Sequence, residues 1–168
     1  MQHQRVLVLD FGGQYNQLIA RRVRDLGVYC DLKPCDMTVG EIRAYDPIGI
    51  IFTGGPNSVY DPAAPHVDRE VLGLGIPVLG ICYGSQLIAY TLGGKVEHAA
   101  MSEYGKREFS FLKESPLSEG IPQTSVCWMS HTDHVTEVPD GFAVLASTPT
   151  CPVTVYGKAE KAIYGVQF

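Results

Sequence analysis

The N-terminal half of the 168-residue chain alternates short apolar runs with amphipathic segments. The first run, Arg5 to Asp10, is followed by the glycines of Phe11-Gly12-Gly13. Its length and its apolar character are typical of a strand inside a parallel sheet that is covered by helices on both faces. An amphipathic helix that stops at Gly27 is predicted next, from apolar residues at helical spacing, namely Leu18, Ile19, Val23 and Leu26.

The same alternation continues as far as the glycines at positions 93 and 94. Thr38, with Glu41 three residues later, has the form of a capping box and predicts the start of a second helix. Strands that alternate with helices predict a parallel sheet. The further predicted elements are strands at 28–32, 48–52 and 77–81 and helices at 67–74 and 85–92.

Beyond Lys95 the chain changes to short alternating segments that are separated by frequent turns. They predict strands, partly antiparallel, that extend the same sheet or fold over its edge. These strands cover 106–111, 125–129, 143–147, 153–156 and 162–168. Because no linker or internal repeat is visible, we predict a single α/β domain over 1–168. Its sheet is open, mostly parallel and flanked by helices, with antiparallel strands added in the C-terminal half.

Composition and charge exclude several classes of protein. Hydrophobic residues make up 45% of the chain and charged residues 18%, and a chain of this length can bury a real core, which argues against disorder. The net charge is -5 and the 13 Lys and Arg residues are scattered, which argues against a nucleic-acid partner. No apolar stretch reaches the roughly 18 residues that a membrane-spanning helix needs, so no membrane is expected as a partner either.

The five cysteines are an odd number and include no Cys-x-x-Cys pair. No basic segment with a long apolar run follows Met1, so the chain is expected to be cytoplasmic, with its thiols reduced. Free cysteines usually behave as small buried hydrophobic residues. This interpretation is adopted for Cys30, Cys35, Cys127 and Cys151.

Cys82 stands in a different pattern, Gly80-Ile81-Cys82-Tyr83-Gly84, between a predicted buried strand and a predicted helix. Small residues on both sides permit the sharp turn of a nucleophile elbow. A thiol at a helix N-terminus is expected to have a lowered pKa, and the thiolate is the nucleophilic form. We therefore predict that Cys82 is a nucleophile rather than another packing cysteine.

The Thr53-Gly54-Gly55-Pro56 loop follows a neighbouring predicted strand. It should therefore lie beside Cys82 at the carboxyl edge of the sheet. Backbone N–H groups of this loop, together with the N–H of Tyr83, could form an oxyanion hole of the kind that acyl transfer requires. Taken alone, the loop is equally compatible with an ordinary Gly-Pro turn. Its expected position next to Cys82 favours the oxyanion hole.

A polar cluster, Trp128 to His134, follows an apolar strand and contains two histidines and an aspartate. Such residues could bind a metal or supply a catalytic histidine. His131 and His134 lack the spacing of ligands on a helix, and no other His or Cys pair completes a site. No metal is predicted, and no general base for Cys82 is evident in the sequence.

Six segments of the chain, in order and at suitable spacing, resemble the class I, or triad-type, glutamine amidotransferases. Within that family they are most similar to the amidotransferase domain of GMP synthetases, and the similarity covers nearly the whole chain. The segments are Val8 to Arg24, Thr53 to Pro56, Gly80 to Gln86, Tyr104 to Phe109, Trp128 to Asp133 and Ile163 to Phe168. The resemblance implies the flavodoxin-like fold of the family.

The resemblance also implies a reaction. Cys82 would attack the side-chain amide of glutamine, ammonia would leave, and water would hydrolyse the glutamyl thioester. The N–H groups of Gly55 and Tyr83 would stabilise the oxyanion, and no cofactor is implied for this domain. The glutamine-binding residues that the resemblance implies are Asn57, Gln86, Ser130, His131, Thr132 and Asp133.

The partner implied by the resemblance is a synthetase domain, either in the same chain or on a separate polypeptide. That domain would use ATP, magnesium and the ammonia to convert xanthosine monophosphate to GMP, a step of purine biosynthesis. The Lys106-Arg107-Glu108 stretch is either part of the face that docks on it or a solvated strand edge. In the family, the Gly-Val-Gln-Phe strand is followed at once by His-Pro-Glu, which supplies the base. Because the sequence stops at Phe168, we expect this chain to bind glutamine weakly and to turn it over poorly or not at all.

Three alternative functions remain open. The chain could be an amidotransferase that serves another synthase, or a related γ-glutamyl hydrolase, although the Asp10-to-Gln14 and Ser130-to-Asp133 segments argue against both. It could also be a non-catalytic binding or regulatory module that has kept the fold.

Overall fold

The computed structural model describes residues 4–168, so Met1 to His3, which the predicted domain includes, lie outside the described residues. Over 4–168 the chain forms nine strands, three α-helices and two 3-10 helices. The α-helices are α1 (Asn16–Asp25), α2 (Val39–Tyr45) and α3 (Tyr83–Thr91). The strands are β1 (Arg5–Asp10), β2 (Tyr29–Pro34), β3 (Gly49–Phe52), β4 (Val78–Ile81), β5 (Lys95–Phe111), β6 (Thr124–Glu137), β7 (Ala143–Ser147), β8 (Val155–Lys158) and β9 (Ile163–Val166).

These strands form one mixed sheet in the order β2-β1-β3-β4-β9-β8-β7-β5-β6. The strands from β2 to β9 in that order run parallel, and every pairing beyond β9 is antiparallel. The predicted α/β class, with antiparallel strands added in the C-terminal half, is confirmed. Because parallel strands share one carboxyl edge, the loops after β1, β3 and β4 lie side by side there.

Helices cover both faces of the parallel strands, which is why β1 is apolar on both sides. Leu7, Val8 and Leu9 are fully buried. Leu7 and Leu9 belong to the main core, which also contains Ile42 of α2 and Leu87 and Ile88 of α3. Val8 faces the opposite side, where it packs with Ala20 of α1 and with Cys30.

Short-range signals predicted the position of most elements in this half of the chain. The capping box of α2 is present: Thr38 Oγ1 accepts from the Glu41 N–H at 3.2 Å, and the Glu41 carboxylate accepts from the Thr38 N–H at 2.7 Å. The helix predicted over 67–74 is wrong, because only a 3-10 helix forms there, over Arg69–Gly73. Gly73 and Gly75, the latter with a φ of 75°, do not favour a longer helix.

The ribbon of β5 and β6 is much longer than predicted. It runs from the pairing of Lys95 with Glu137 to the pairing of Ser110 with Thr124. The side chains on one face of the ribbon are exposed, and polar residues are tolerated on such a face. Apolar runs in the sequence therefore mark only part of each of these strands. The 128–134 cluster therefore lies within a strand, at the outer edge of the sheet.

All five cysteines are free thiols. Cys30, Cys127 and Cys151 are buried and Cys35 is half-buried, in line with the packing role predicted for them. None of the helices in the described part of the chain is both long and apolar enough to span a membrane.

Candidate active site

Cys82 occupies a strained turn between β4 and α3. Its φ is 51°, in the left-handed region that residues other than glycine rarely adopt. The turn needs glycines on both sides, because a Cβ on Gly84 would lie 2.4 Å from the Phe52 carbonyl oxygen and one on Gly80 would lie 2.6 Å from the Gly84 carbonyl carbon. Strand, turn and helix are therefore arranged as a nucleophile elbow requires, with α3 beginning at Tyr83 rather than at position 85.

The Cys82 thiol is held between β6 and the end of β9. Its Sγ lies 3.9 Å from the Ser130 carbonyl oxygen and 3.7 Å from Gln167 Nε2. Burial raises the pKa of Cys82 above the usual value, and the opposing effects of the Tyr83 N–H and the Gln167 amide are smaller. The expectation of a lowered pKa is therefore wrong in direction, because desolvation outweighs the donors at the start of the helix.

The loop after β3 lies against Cys82, as predicted. A Cβ on Gly54 would lie 3.5 Å from the Cys82 Cβ. Thr53 Oγ1 accepts from the Phe11 N–H at 3.0 Å, which ties this loop to the end of β1. Gly55 passes so close to Phe11 that a Cβ there would lie 2.4 Å from the Phe11 carbonyl oxygen. The glycines are therefore needed for close backbone packing beside the elbow.

A cavity of about 1160 Å³ opens in front of Cys82. Its walls include the loops after β1 and β3, the start of α3, the 130–133 segment of β6, and Gln167 and Phe168. All the residues that the sequence assigned to the site line it, namely Gly55, Asn57, Cys82, Tyr83, Gln86, Ser130, His131, Thr132 and Asp133. Segments far apart in the chain thus meet at the carboxyl edge of the parallel strands.

Gln86 connects α3 to the outer strand of the sheet. Its Nε2 donates to the Asp133 carbonyl oxygen at 2.8 Å and lies 3.4 Å from Gln167 Oε1. The side chain is almost fully buried. Gln86 therefore fixes the separation between the helix that carries the thiol and the 130–133 segment opposite it.

Sequence reasoning missed Gln167 and Asn16 as cavity residues. Asp10 Oδ1 accepts from the Gly12 N–H at 2.7 Å and from Asn16 Nδ2. This pattern shapes the loop after β1 into a second wall. In the sequence, this wall was signalled by the glycines at positions 12 and 13. Such glycines are equally typical of an ordinary turn between a strand and a helix.

A buried Glu-His pair behind the β6 wall was also missed. Glu103 Oε2 lies 3.0 Å from His131 Nε2, and both side chains are 2% exposed. His131 Nδ1 lies 3.1 Å from the Asp133 carbonyl oxygen. Because both ring nitrogens are engaged away from the thiol, His131 is not placed to act as the base for Cys82.

The pair and one further side chain, Cys151, could hold a metal ion. Ligand atoms of Glu103, His131 and Cys151 all lie within 4.8 Å of one another. The Glu103 carboxylate is already hydrogen-bonded to His131, and Thr150 Oγ1 donates to it as well. The prediction that the chain binds no metal stays a prediction.

The sequence profile of the class I glutamine amidotransferases matches residues 7–168. The chain belongs to this family. Over all of its residues it is 59% identical to a GMP synthase [glutamine-hydrolyzing] from Caldicellulosiruptor saccharolyticus and 56% identical to one from Clostridium novyi. It spans 33% of the length of each of these relatives.

Solved structures agree with this assignment. A protein described as a GMP synthase subunit from Thermoplasma acidophilum is 31% identical, with a TM-score of 0.83 over 100% of this chain and 84% of that one. A glutamine amidotransferase from Thermotoga maritima has a TM-score of 0.78 at 19% identity, over 100% of this chain and 76% of that one, which shows a shared fold. The family and fold that the sequence motifs implied are therefore confirmed.

Proposed function

We propose that this chain is the glutamine-hydrolysing domain of a GMP synthase, with Cys82 as its nucleophile. The observation that carries the proposal is the strained elbow at Cys82, whose thiol faces a cavity shared with the loop after β3 and the 130–133 segment. The relatives named GMP synthase support the choice of synthase, because their identity to this chain is above 50% over its whole length.

The proposed chemistry is acyl transfer. The sulfur of Cys82 attacks the side-chain amide carbon of glutamine, and the carbonyl oxygen becomes an oxyanion that the N–H groups of Gly55 and Tyr83 stabilise. A donor of this kind is worth about 2.7–4 kcal/mol in the transition state. The C–N bond then breaks, the thiol proton reaches the departing nitrogen to give ammonia, and water hydrolyses the thioester to glutamate.

The burial of Cys82 makes a base necessary, because a thiol with a raised pKa is mostly protonated at neutral pH. Its contacts with the Ser130 carbonyl and the Gln167 amide involve groups that do not accept a proton at that pH. The family resemblance assigns this role to a histidine directly after the Gly-Val-Gln-Phe motif. The position of Gln167 and Phe168 in the cavity wall supports that assignment.

Glutamine would be held by the outer strand of the sheet. Within residues 4–168, β6 has a strand neighbour on one side only, so one row of its backbone groups can contact partners other than a strand. The Ser130 and Asp133 carbonyls point from this strand towards Cys82 and Gln86. We propose that the remaining groups of 130–133, with Asn57 and Gln86, bind the amino-acid end of glutamine.

The proposed partner is an ATP- and magnesium-dependent synthetase domain that aminates xanthosine monophosphate. Support comes from the length of the relatives, of which this chain spans a third. Tyr104 and Trp128 stand exposed at the rim of the cavity, and Lys106 lies 5.7 Å above the Trp128 ring. This face, beside the cavity, is our candidate for the surface that docks on the synthetase domain.

Nitrogen transfer to GMP tests the proposal. The chain, continued past Phe168 by the His-Pro-Glu of the family, is mixed with a GMP synthase synthetase domain, ATP, magnesium and xanthosine monophosphate. With amide-labelled glutamine we expect labelled GMP from the wild type and none from Cys82→Ser, while ammonium supports both. Normal synthesis from ammonium without any from glutamine in the wild type would contradict the proposal. It would favour another synthase or a non-catalytic module.

A further inference from the structure

We propose that Glu103 is a positioning residue for glutamine, and that it acts through His131 on the 130–133 segment. The inference rests on the proposed function, since it concerns how the same pocket is held in shape. His131 lines the cavity, whereas Glu103, which contacts it from behind, is not among the lining residues. Its effect would therefore be indirect, through the backbone of β6.

An irregularity in the β5–β6 ribbon places the Glu103 carboxylate inside. His98 pairs with Asp133 and Glu103 pairs with His131. The two pairs are therefore five residues apart on β5 but only two residues apart on β6. The extra residues form a bulge of the kind that re-aims side chains at sheet edges. Glu103 consequently faces the interior, whereas its neighbour Tyr104 is exposed.

The carboxylate is held from three directions. Thr150 Oγ1 donates to Glu103 Oε1, and Thr148 Oγ1 lies 3.4 Å from the same oxygen. Arg107 Nε lies 3.6 Å from it on the solvent side. Oε2 contacts His131 Nε2 at 3.0 Å. Because the hydroxyls belong to the turn between β7 and β8, Glu103 ties that turn to both strands of the ribbon.

The contacts of His131 connect Glu103 to the pocket. The Asp133 carbonyl can only accept, so His131 Nδ1 must donate to it. The same carbonyl accepts from Gln86 Nε2 at 2.8 Å. At the other side of the ring, His131 Nε2 lies 3.0 Å from the Glu103 carboxylate, so contacts at both nitrogens fix the ring orientation. Because the His131 ring is held at both nitrogens, it fixes the part of β6 that runs from Ser130 to Asp133. Ser130 lies beside the thiol, and Asp133 lies beside Gln86.

Alkylation kinetics separate positioning from chemistry. In the chain continued past Phe168 by the His-Pro-Glu of the family, a glutamine-analogue diazo ketone reports a binding constant, KI, and a maximal rate, kinact, at Cys82, whereas iodoacetamide reports thiol reactivity without needing the pocket. Glu103→Gln replaces the hydrogen bond between the carboxylate and His131 by a weaker one from a neutral amide, and we expect KI to rise about tenfold. The kinact and iodoacetamide rates should stay within about twofold. Glu97→Gln, an exposed carboxylate on the same strand, is the matched control and should leave KI unchanged.

A folded Glu103→Gln protein with wild-type KI would overturn the proposal, and so would a rise in KI that is matched by an equal fall in the iodoacetamide rate. Thr150→Val covers the case in which Glu103→Gln does not fold, because it removes one donor to the same carboxylate with little change in volume. It should also raise KI, and an unchanged KI would again overturn the proposal. If the wild type itself shows no selective labelling of Cys82, the proposed function fails rather than this inference alone.

Discussion

Gly84→Ala tests whether the elbow depends on close backbone packing. The added Cβ would lie 2.4 Å from the Phe52 carbonyl oxygen, 2.7 Å from its Cβ and 2.8 Å from its carbonyl carbon. An ordinary contact begins near 3.4 Å, so the overlap is about 1 Å. Phe52 lies in β3, which is hydrogen-bonded to strands on both sides and cannot move away cheaply.

Overpacking of this kind costs about 3 kcal/mol of unfolding free energy. For a chain of this size, that loss lowers Tm by about 6–12 °C. The measurement is urea and thermal unfolding followed by far-UV circular dichroism. Gly40→Ala in α2 is the matched control, because the nearest atom to its new Cβ would be 4.0 Å away. It should be neutral or stabilising by up to about 1 kcal/mol. A Gly84→Ala protein within about 0.5 kcal/mol of wild type would refute the packing argument, because overpacking typically costs at least 1 kcal/mol.

Two further predictions concern burial around the elbow. Because burial raises the pKa of Cys82, its iodoacetamide alkylation rate should increase with pH to a midpoint above that of a free cysteine; a midpoint below it would show that the helix end dominates. Tyr156→Phe removes the hydroxyl that donates to the Ser85 carbonyl at 2.5 Å in the core. It should lower the unfolding free energy by about 1–1.5 kcal/mol, whereas no change in urea unfolding would mean that this carbonyl finds another donor.

The sequence predicted those parts of the molecule that depend on neighbouring residues. The strand ending at Asp10 and the capping box of Thr38 and Glu41 are local features with local signals. The elbow at Cys82 was predictable for the same reason, because the glycines that permit it stand two residues away on each side. The position of the loop after β3 could then be predicted as well, because the carboxyl ends of parallel strands lie at one edge of the sheet.

Features that depend on register or burial could not be predicted in this way. The partner of Glu103 is 28 positions along the chain, and the two meet only because β5 bulges between His98 and Glu103. The direction of the Cys82 pKa depends on how tightly the end of β9 and the 130–133 segment enclose the thiol. Neither the bulge nor the enclosure leaves a periodic signal in the sequence.

Selective alkylation of Cys82 by the glutamine-analogue diazo ketone tests the central claim most directly. It is measured in the chain continued past Phe168 by the His-Pro-Glu of the family, by peptide mass spectrometry with and without glutamine. Cys35 is the internal control, because it is also only half-buried and its pKa is likewise raised by burial. We predict that Cys82 is modified much faster than Cys35 and that glutamine slows its modification. Labelling of Cys82 no faster than that of Cys35, or labelling that glutamine does not slow, would contradict a glutamine site at this cysteine.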